Sequence, residues 1–205
     1  MSVKRMATAD LIPTVDDPMA LFEAWFQEAQ TSELNDPDAM SLATATPDGM
    51  PSVRMVLLKG HGPDGFAFYT NKESNKGQQI AANAKAALCF HWKSLRRQVR
   101  VEGVLTEVCA DQADTYFASR SWESQVAAWA SDQSRPMKDR DEFIEKFTSA
   151  TTKFEGKDVP RPAHWSGFQL TPVMIEFWLD QPHRMHDRLV YKKEGVRWSA
   201  ERVYP

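Results

Sequence analysis

The sequence predicts a mainly β protein of the α+β class, an antiparallel barrel with peripheral helices. Two observations carry this. Short strand-like stretches separated by Gly, Pro and Asp turns fill residues 40–108 and return at 168–203, with helical periodicity confined to one segment before them and one block between. The alternating strand–helix rhythm of a doubly wound sheet is missing, and so is the Gly-rich fingerprint that seats a dinucleotide on a helix N-terminus. At 205 residues and 42% hydrophobic, the chain is long enough for one domain with a substantial core. A net charge of -3 argues against a dedicated nucleic-acid binder.

Asp16, Asp17 and Pro18 open a first helix, carboxylates capping and proline in the first turn, and Leu21, Phe22, Trp25, Phe26 and Ala29 give it one apolar face. Strands are expected over Met40–Thr46, Ser52–Lys59 and Phe66–Thr70. Pro47-Asp48-Gly49 and the Gly60–Gly65 cluster serve as punctuation. Ser74 caps a short helix through Asn83. Ala86–Trp92 and Gln98–Val108 form a hairpin about the basic turn Lys93–Arg97, with Val99 and Val101 on one face and Gln98, Arg100 and Glu102 on the other. Helices follow at Asp111–Arg120, Trp122–Ala130 and Asp139–Phe154. Strands return at Phe168–Leu170, Val173–Trp178, Arg188–Tyr191 and Val196–Val203, and Ser166-Gly167 reads as a turn.

Cys89 and Cys109 make no disulfide framework and suit a reduced, cytoplasmic protein. No apolar run approaches the ~20 residues of a membrane helix. Met1–Asp10 lacks the apolar segment of a secretory signal. A flexible arm over residues 1–16 is expected to precede a single domain over 17–205.

Five groups of residues could carry chemistry. Arg54, Val56 and Leu58 alternate with Met55, Leu57 and Lys59 along one strand, a cation at either end. Lys76 sits in the first turn of the helix capped by Ser74, beside Tyr69, Thr70 and Asn71, where its charge opposes the helix dipole unless an anion is bound. Arg96, Arg97 and Arg100 flank Gln98, with only Trp92 near them as a stacking surface for bases. Tyr116 and Arg120 share a helix face just before Ser124, and all three can donate to a phosphate. In His183–Arg188, an extended chain sends His183 and His186 to opposite faces, against a metal site, and lines up Arg184, His186 and Arg188. For each group, ordinary solvated surface is the competing explanation. No nucleophile elbow and no zinc spacing is present.

In order along the chain, Arg54–Lys59, Phe68–Asn71, Arg97–Gly103, Tyr116–Arg120, Ser124-Gln125, Gln133-Ser134, Ile175–Trp178 and Arg184–Arg188 resemble the pyridoxamine 5′-phosphate oxidase family of flavoproteins, over roughly residues 17–205. The resemblance implies an FMN-binding split barrel, a homodimer with FMN at the subunit interface, and no nucleic-acid or membrane partner. It implies that Arg54, Met55, Val56, Leu57, Leu58, Lys59, Tyr69, Thr70, Asn75, Lys76, Gln98, Gln133, Ser134, Trp178 and Arg188 hold FMN. It implies that Lys59, Tyr116, Arg120 and Ser124 grip the substrate phosphate, while Arg184 and His186 contact the pyridine and act in catalysis.

The implied reaction oxidises pyridoxamine and pyridoxine 5′-phosphates to pyridoxal 5′-phosphate. A hydride passes from C4′ to flavin N5, and O2 is reduced to H2O2. Two departures stand out. Asn75 occupies a position that is often Arg, and residues 1–10 lack an Arg/Tyr-rich segment. The alternatives are a split-barrel flavin oxidase of another aromatic substrate and a non-catalytic flavin- or vitamer-binding module.

Overall fold

The structure, a computed structural model, describes residues 11–205. Its first helix, α1 (Pro18–Ser32), begins where the capping pattern places it, with Asp17 accepting from Met19 N. Nine strands follow: β1 (Ala39–Ala45), β2 (Pro51–Leu57), β3 (Gly60–Gly62), β4 (Gly65–Asn71), β5 (Lys85–Trp92), β6 (Arg97–Glu107), β7 (Trp165–Leu179), β8 (Asp187–Glu194) and β9 (Arg197–Arg202). Helix α2 (Asn75–Ala82) separates β4 from β5. Helices α3 (Ala110–Ala118), α4 (Trp122–Ala130) and α5 (Arg140–Phe154) separate β6 from β7.

The strands form one antiparallel sheet in the order β2-β1-β5-β6-β7-β4-β3, with β8 on β7 and β9 on β8. Only Leu58 and Lys59 separate β2, at one end of this path, from β3 at the other, so the path curls shut as a barrel. The sheet forks at β7. Residues 165–170 pair with β4, residues 174–179 pair with β8, and β6 runs along the opposite side. This is the expected α+β, mainly β split barrel.

Helix α1 packs its one apolar face onto the barrel core. Phe22 is fully buried and meets Phe66 and Phe90 edge-on, at ring separations of 4.8 and 5.1 Å. Val99 and Val101 point into this core from β6 as their alternation requires. A second cluster, including Phe117, Val126, Ala130, Phe154 and Trp165, binds α3–α5 to the start of β7.

Four expectations need correction. β3 was read as punctuation, because three residues with two glycines carry no apolar alternation. Phe168–Leu170 and Val173–Trp178 are one strand, not two. Pro172 is tolerated there because the β6–β7 register slips beside it, Glu102 facing Met174 and Gly103 facing Pro172, which leaves Val173 as the extra residue of a bulge. Ser166-Gly167 lies inside that strand and is not a turn. Gly167 serves close packing instead, since a Cβ there would stand 2.6 Å from the Tyr69 ring.

The fourth concerns His183–Arg188. Pro182–Arg184 form a tight turn with His183 and Arg184 at φ of 60° and 61°, and β8 starts only at Asp187, so Arg184, His186 and Arg188 do not share one strand face.

Residues 11–16, expected within the arm, lie against the barrel. Ile12 is buried, its N–H donates to Asp187 Oδ2 at 2.8 Å, and Val15 N donates to the Tyr191 hydroxyl at 3.0 Å. The first ten residues of that arm lie outside the described residues.

Candidate active site

Where the helical cluster meets the barrel wall, the fold leaves a cavity of about 540 Å³. Met55, Val56 and Leu57 of β2 line one side with Lys59. Tyr69, Thr70 and Asn71 at the end of β4 line the floor with Lys76 of α2. Tyr116, Arg120, Gln133 and Trp165 close the other side. The local folding is simple. β4 runs out of the barrel into the Ser74 cap, whose hydroxyl accepts from Gly77 N, so the strand end and the helix N-terminus open on the same space.

The charge arrangement defines the site. Arg54, just behind the cavity wall, donates to Leu42 O at 3.1 Å, Thr44 Oγ1 at 2.6 Å and Gln79 Oε1 at 3.3 Å. Lys76 Nζ donates to Gln133 Oε1 at 2.9 Å, Thr70 Oγ1 at 3.1 Å and Ser74 Oγ at 3.5 Å. All these partners are neutral. Burial pushes both groups below their ordinary pKa values, and the charge of Arg54 pushes Lys76 further down. Two half-buried like charges among neutral oxygens are costly unless an anion joins them.

The second anion-seeking group is Arg120. It does not share a helix with Tyr116 as expected. Helix α3 stops at Ala118, and Arg120 lies in the turn before α4. Its guanidinium nevertheless folds back over Trp165 at 5.0 Å and Phe117 at 5.6 Å. Tyr116 stacks on Tyr69 at 3.9 Å, which brings the phenol to the same wall. Arg120 Nη1 is buried with no hydrogen-bond partner, and burial lowers the group's pKa. An orphaned guanidinium nitrogen beside a cavity fits a phosphate oxygen.

Lys59 differs. It lines the cavity, but its Nζ is held 2.8 Å from Asp38 Oδ2.

The cavity therefore collects Met55, Val56, Leu57, Lys59, Tyr69, Thr70, Lys76, Tyr116, Arg120 and Gln133 from the expected set, with Arg54 behind it. Leu58 does not line it, because its side chain is in the barrel core. Asn75 is exposed at the start of α2, Ser134 faces a neighbouring groove, and Ser124 is tied to the Ser121 cap of α4, its hydroxyl accepting from the Ser121 hydroxyl at 2.9 Å. Gln79 and Trp165 belong to the site although neither stands out in the sequence. Gln79 is an amide on an otherwise ordinary helix, and Trp165 precedes what reads as a turn.

A second group lies at the other end of β7. Trp178 pairs in register with Gln98 and Arg188 and packs its ring 4.7 Å from that of His186. Trp178 and Gly167, which faces Tyr69, are about eleven residues apart, roughly 35 Å of extended strand. Arg188 Nε donates to the buried Glu176 carboxylate at 2.6 Å, which holds the guanidinium above its ordinary pKa, and Nη1 donates to Tyr204 O at 3.1 Å. His186 Nδ1 lies 2.9 Å from Asp180 Oδ1 and 3.1 Å from Gln181 N, which fixes the ring against the turn. Arg184 is exposed on the turn. Within one protomer, the two groups do not meet.

Fold and cavity together define a split-barrel protein with a site suited to anionic ligands. Residues 26–154 match the model of the pyridoxamine 5′-phosphate oxidase family, and residues 165–205 match the pyridoxine 5′-phosphate oxidase C-terminal dimerisation region. The chain is 56% identical over 203 residues to a pyridoxine/pyridoxamine 5′-phosphate oxidase of Sphingopyxis alaskensis, covering 99% of this chain and 93% of the relative. It is 57% identical over 204 residues to that of Erythrobacter litoralis, covering 98% and 95%.

Among solved structures it is similar to PhzG of Burkholderia lata in complex with tetrahydrophenazine-1-carboxylic acid. The TM-score is 0.88 at 27% identity, over 93% of this chain and 94% of that one. A pyridoxamine 5′-phosphate oxidase-related, FMN binding protein from Nostoc punctiforme has a similar fold, at a TM-score of 0.74 and 20% identity over 94% and 100% of the two chains. The chain belongs to the pyridoxine/pyridoxamine 5′-phosphate oxidase family.

Proposed function

We propose that this chain is an FMN-dependent oxidase that converts pyridoxamine 5′-phosphate and pyridoxine 5′-phosphate to pyridoxal 5′-phosphate, with O2 as the final electron acceptor. The observation that carries the reading is the pair of anion holders on one cavity: Arg54 with Lys76, and Arg120 with its unpartnered Nη1. A phosphorylated cofactor and a phosphorylated substrate need two such holders.

Bound FMN supplies the two-electron chemistry and the reactivity with O2 that no side chain offers. The residues do the rest. Arg54 and Lys76 hold the cofactor phosphate, with Thr70 and Gln133 steering the Lys76 ammonium. Arg120, Tyr116 and Lys59 hold the substrate phosphate, and Ser124 adds a hydroxyl from the first turn of α4. Lys59 is shared between Asp38 and the substrate, which tempers its charge. Fixing both partners at their phosphates turns a two-body encounter into one geometry, an effect worth up to ~7–11 kcal/mol in favourable cases.

Gln98, Trp178, Arg184, His186 and Arg188 complete the site from the partner subunit of a homodimer. Their separation from the cavity within one protomer and the match of residues 165–205 to a dimerisation region support this. Arg184 orients the pyridine and His186 exchanges a proton with it, while Arg188 presents positive charge to the flavin. A cytoplasmic location fits two unpaired cysteines, one of them exposed.

The test is spectroscopic. The purified protein, or the protein reconstituted with FMN, is expected to be yellow, to bleach when pyridoxamine 5′-phosphate is added without oxygen, and to recover its colour in air with release of H2O2. A preparation that takes up no FMN, or one that oxidises only a non-phosphorylated aromatic, contradicts the reading.

A further inference from the structure

We infer that Trp165 is the positioning residue of the substrate-phosphate grip: its indole holds the Arg120 guanidinium in an orientation that commits none of its N–H donors to an acceptor among the described residues. The inference rests on the assignment of Arg120 to the substrate phosphate. Arg120 leaves the end of α3 in a turn and has no carboxylate to orient it among the described residues. Its backbone is fixed by the buried Gln125, whose Nε2 donates to Arg120 O at 2.8 Å and to Ala118 O at 3.1 Å. That leaves the side chain to be set.

The contacts available to the guanidinium are aromatic, Trp165 at 5.0 Å and Phe117 at 5.6 Å. An indole face attracts a guanidinium without using its N–H donors, so the group is held while its hydrogen bonds stay available. A carboxylate in the same place would fix Arg120 equally well and consume the donors. Trp165 is itself well held. It is 7% exposed, it ladders with Asn71, and its ring lies parallel to those of Tyr69 and Tyr116 at 5.4 and 6.1 Å. Tyr116 is set by Tyr69, on which it stacks at 3.9 Å, so the part the indole plays in the grip runs through Arg120.

The test compares the wild-type holoenzyme with Trp165→Leu, Trp165→Phe, Arg120→Leu and the double variant Arg120→Leu/Trp165→Leu. The readouts are KM and kcat for pyridoxamine 5′-phosphate and FMN bound per chain. Trp165→Leu should raise KM about tenfold, with a smaller change in kcat and FMN retained, and Trp165→Phe should recover most of that loss. In the Arg120→Leu background, the Leu substitution at 165 should add almost nothing, because the group it positions is gone. A tenfold rise that persists in that background overturns the inference, as does a Trp165→Phe variant as impaired as Trp165→Leu. If Trp165→Leu folds poorly, Trp165→Met, which keeps bulk but has no aromatic face, and its double with Arg120→Leu carry the same comparison. A wild-type KM in Arg120→Leu alone would instead remove the assignment of Arg120 on which this depends.

Discussion

Two arginine-rich regions of this molecule look alike in sequence and behave differently in space. Around the β5–β6 turn, every arginine has a carboxylate. Arg96 pairs with Asp180, Arg97 with Glu28 at 2.8 Å, and Arg100 with Glu176 at 2.9 Å and Glu102 at 3.2 Å. Trp92, the aromatic nearest that stripe, is buried in the barrel with its Nε1–H on Pro37 O, so it offers no surface to a base. Around the cavity, Arg54, Lys76 and Arg120 have neutral or aromatic partners only. A cation answered by a protein carboxylate has part of its charge already met, as in the β5–β6 stripe and also at Lys59 and Arg188. A cation left unanswered while half-buried is waiting for a ligand, and burial lowers its pKa in the meantime.

The largest expected effect falls on the unanswered cations. Arg120→Leu removes a charged double donor and should raise KM for pyridoxamine 5′-phosphate about 10–100-fold, while FMN per chain stays near wild type. Equal loss of both would show that the two anion holders are not separate.

Lys76→Met should weaken FMN about tenfold in a fluorescence titration, with KM at saturating FMN much less affected. Its pH behaviour follows from the direction of its shift. Lys76 has a lowered pKa in the ligand-free fold, so its charged form is disfavoured there. Apo-protein stability should therefore rise as pH climbs from that lowered value towards the ordinary lysine value, where the folded state has shed a proton that the unfolded chain keeps. FMN binding should fall across the same window, because the ligand needs the charged lysine. Apo melting curves and FMN titrations against pH check both slopes, and Lys76→Met should flatten them.

Arg184→Leu should lower turnover severalfold and leave bound flavin in place. Unchanged kinetics would remove Arg184 from the site. At the small end, Arg97→Gln breaks an ion pair at the exposed Glu28 and a cation–π contact with Trp25 at 4.6 Å and should cost about 1–2 kcal/mol, with FMN binding and KM unaltered. A loss of FMN in that variant would blur the distinction between the two regions.

Much of the architecture was legible because local rules and tertiary packing agree. The Asp17 and Ser74 caps open α1 and α2 as expected, Trp122–Ala130 has the expected ends, and the Val99/Val101 alternation sets the inner face of β6. The misreadings arose where tertiary contacts overrode a local signal. Pro172 looks like a strand end, yet a bulge accommodates it. Gly167 looks like a turn, yet it makes room for the Tyr69 ring. Gly60–Gly62 looks like punctuation between strands, yet it pairs with β4 and closes the barrel.

For the site, residue identities were legible from the ordered motifs, but the chemical logic was not. Whether Arg54 or Arg100 has a carboxylate nearby depends on which strands become neighbours, and no spacing along the chain records it. The same holds for Arg120. Helical spacing pointed to Tyr116 as its companion on one face, whereas the turn after α3 delivers it to Trp165.

The most direct measurement is a crystal structure of the holoenzyme soaked with pyridoxal 5′-phosphate. The account predicts two phosphates in the cavity, one within hydrogen-bond distance of Arg54 and Lys76 and the other accepting from the Arg120 guanidinium. Phosphate bound instead along Arg96–Arg100, or an Arg120 Nη1 turned onto a protein carboxylate, would contradict it.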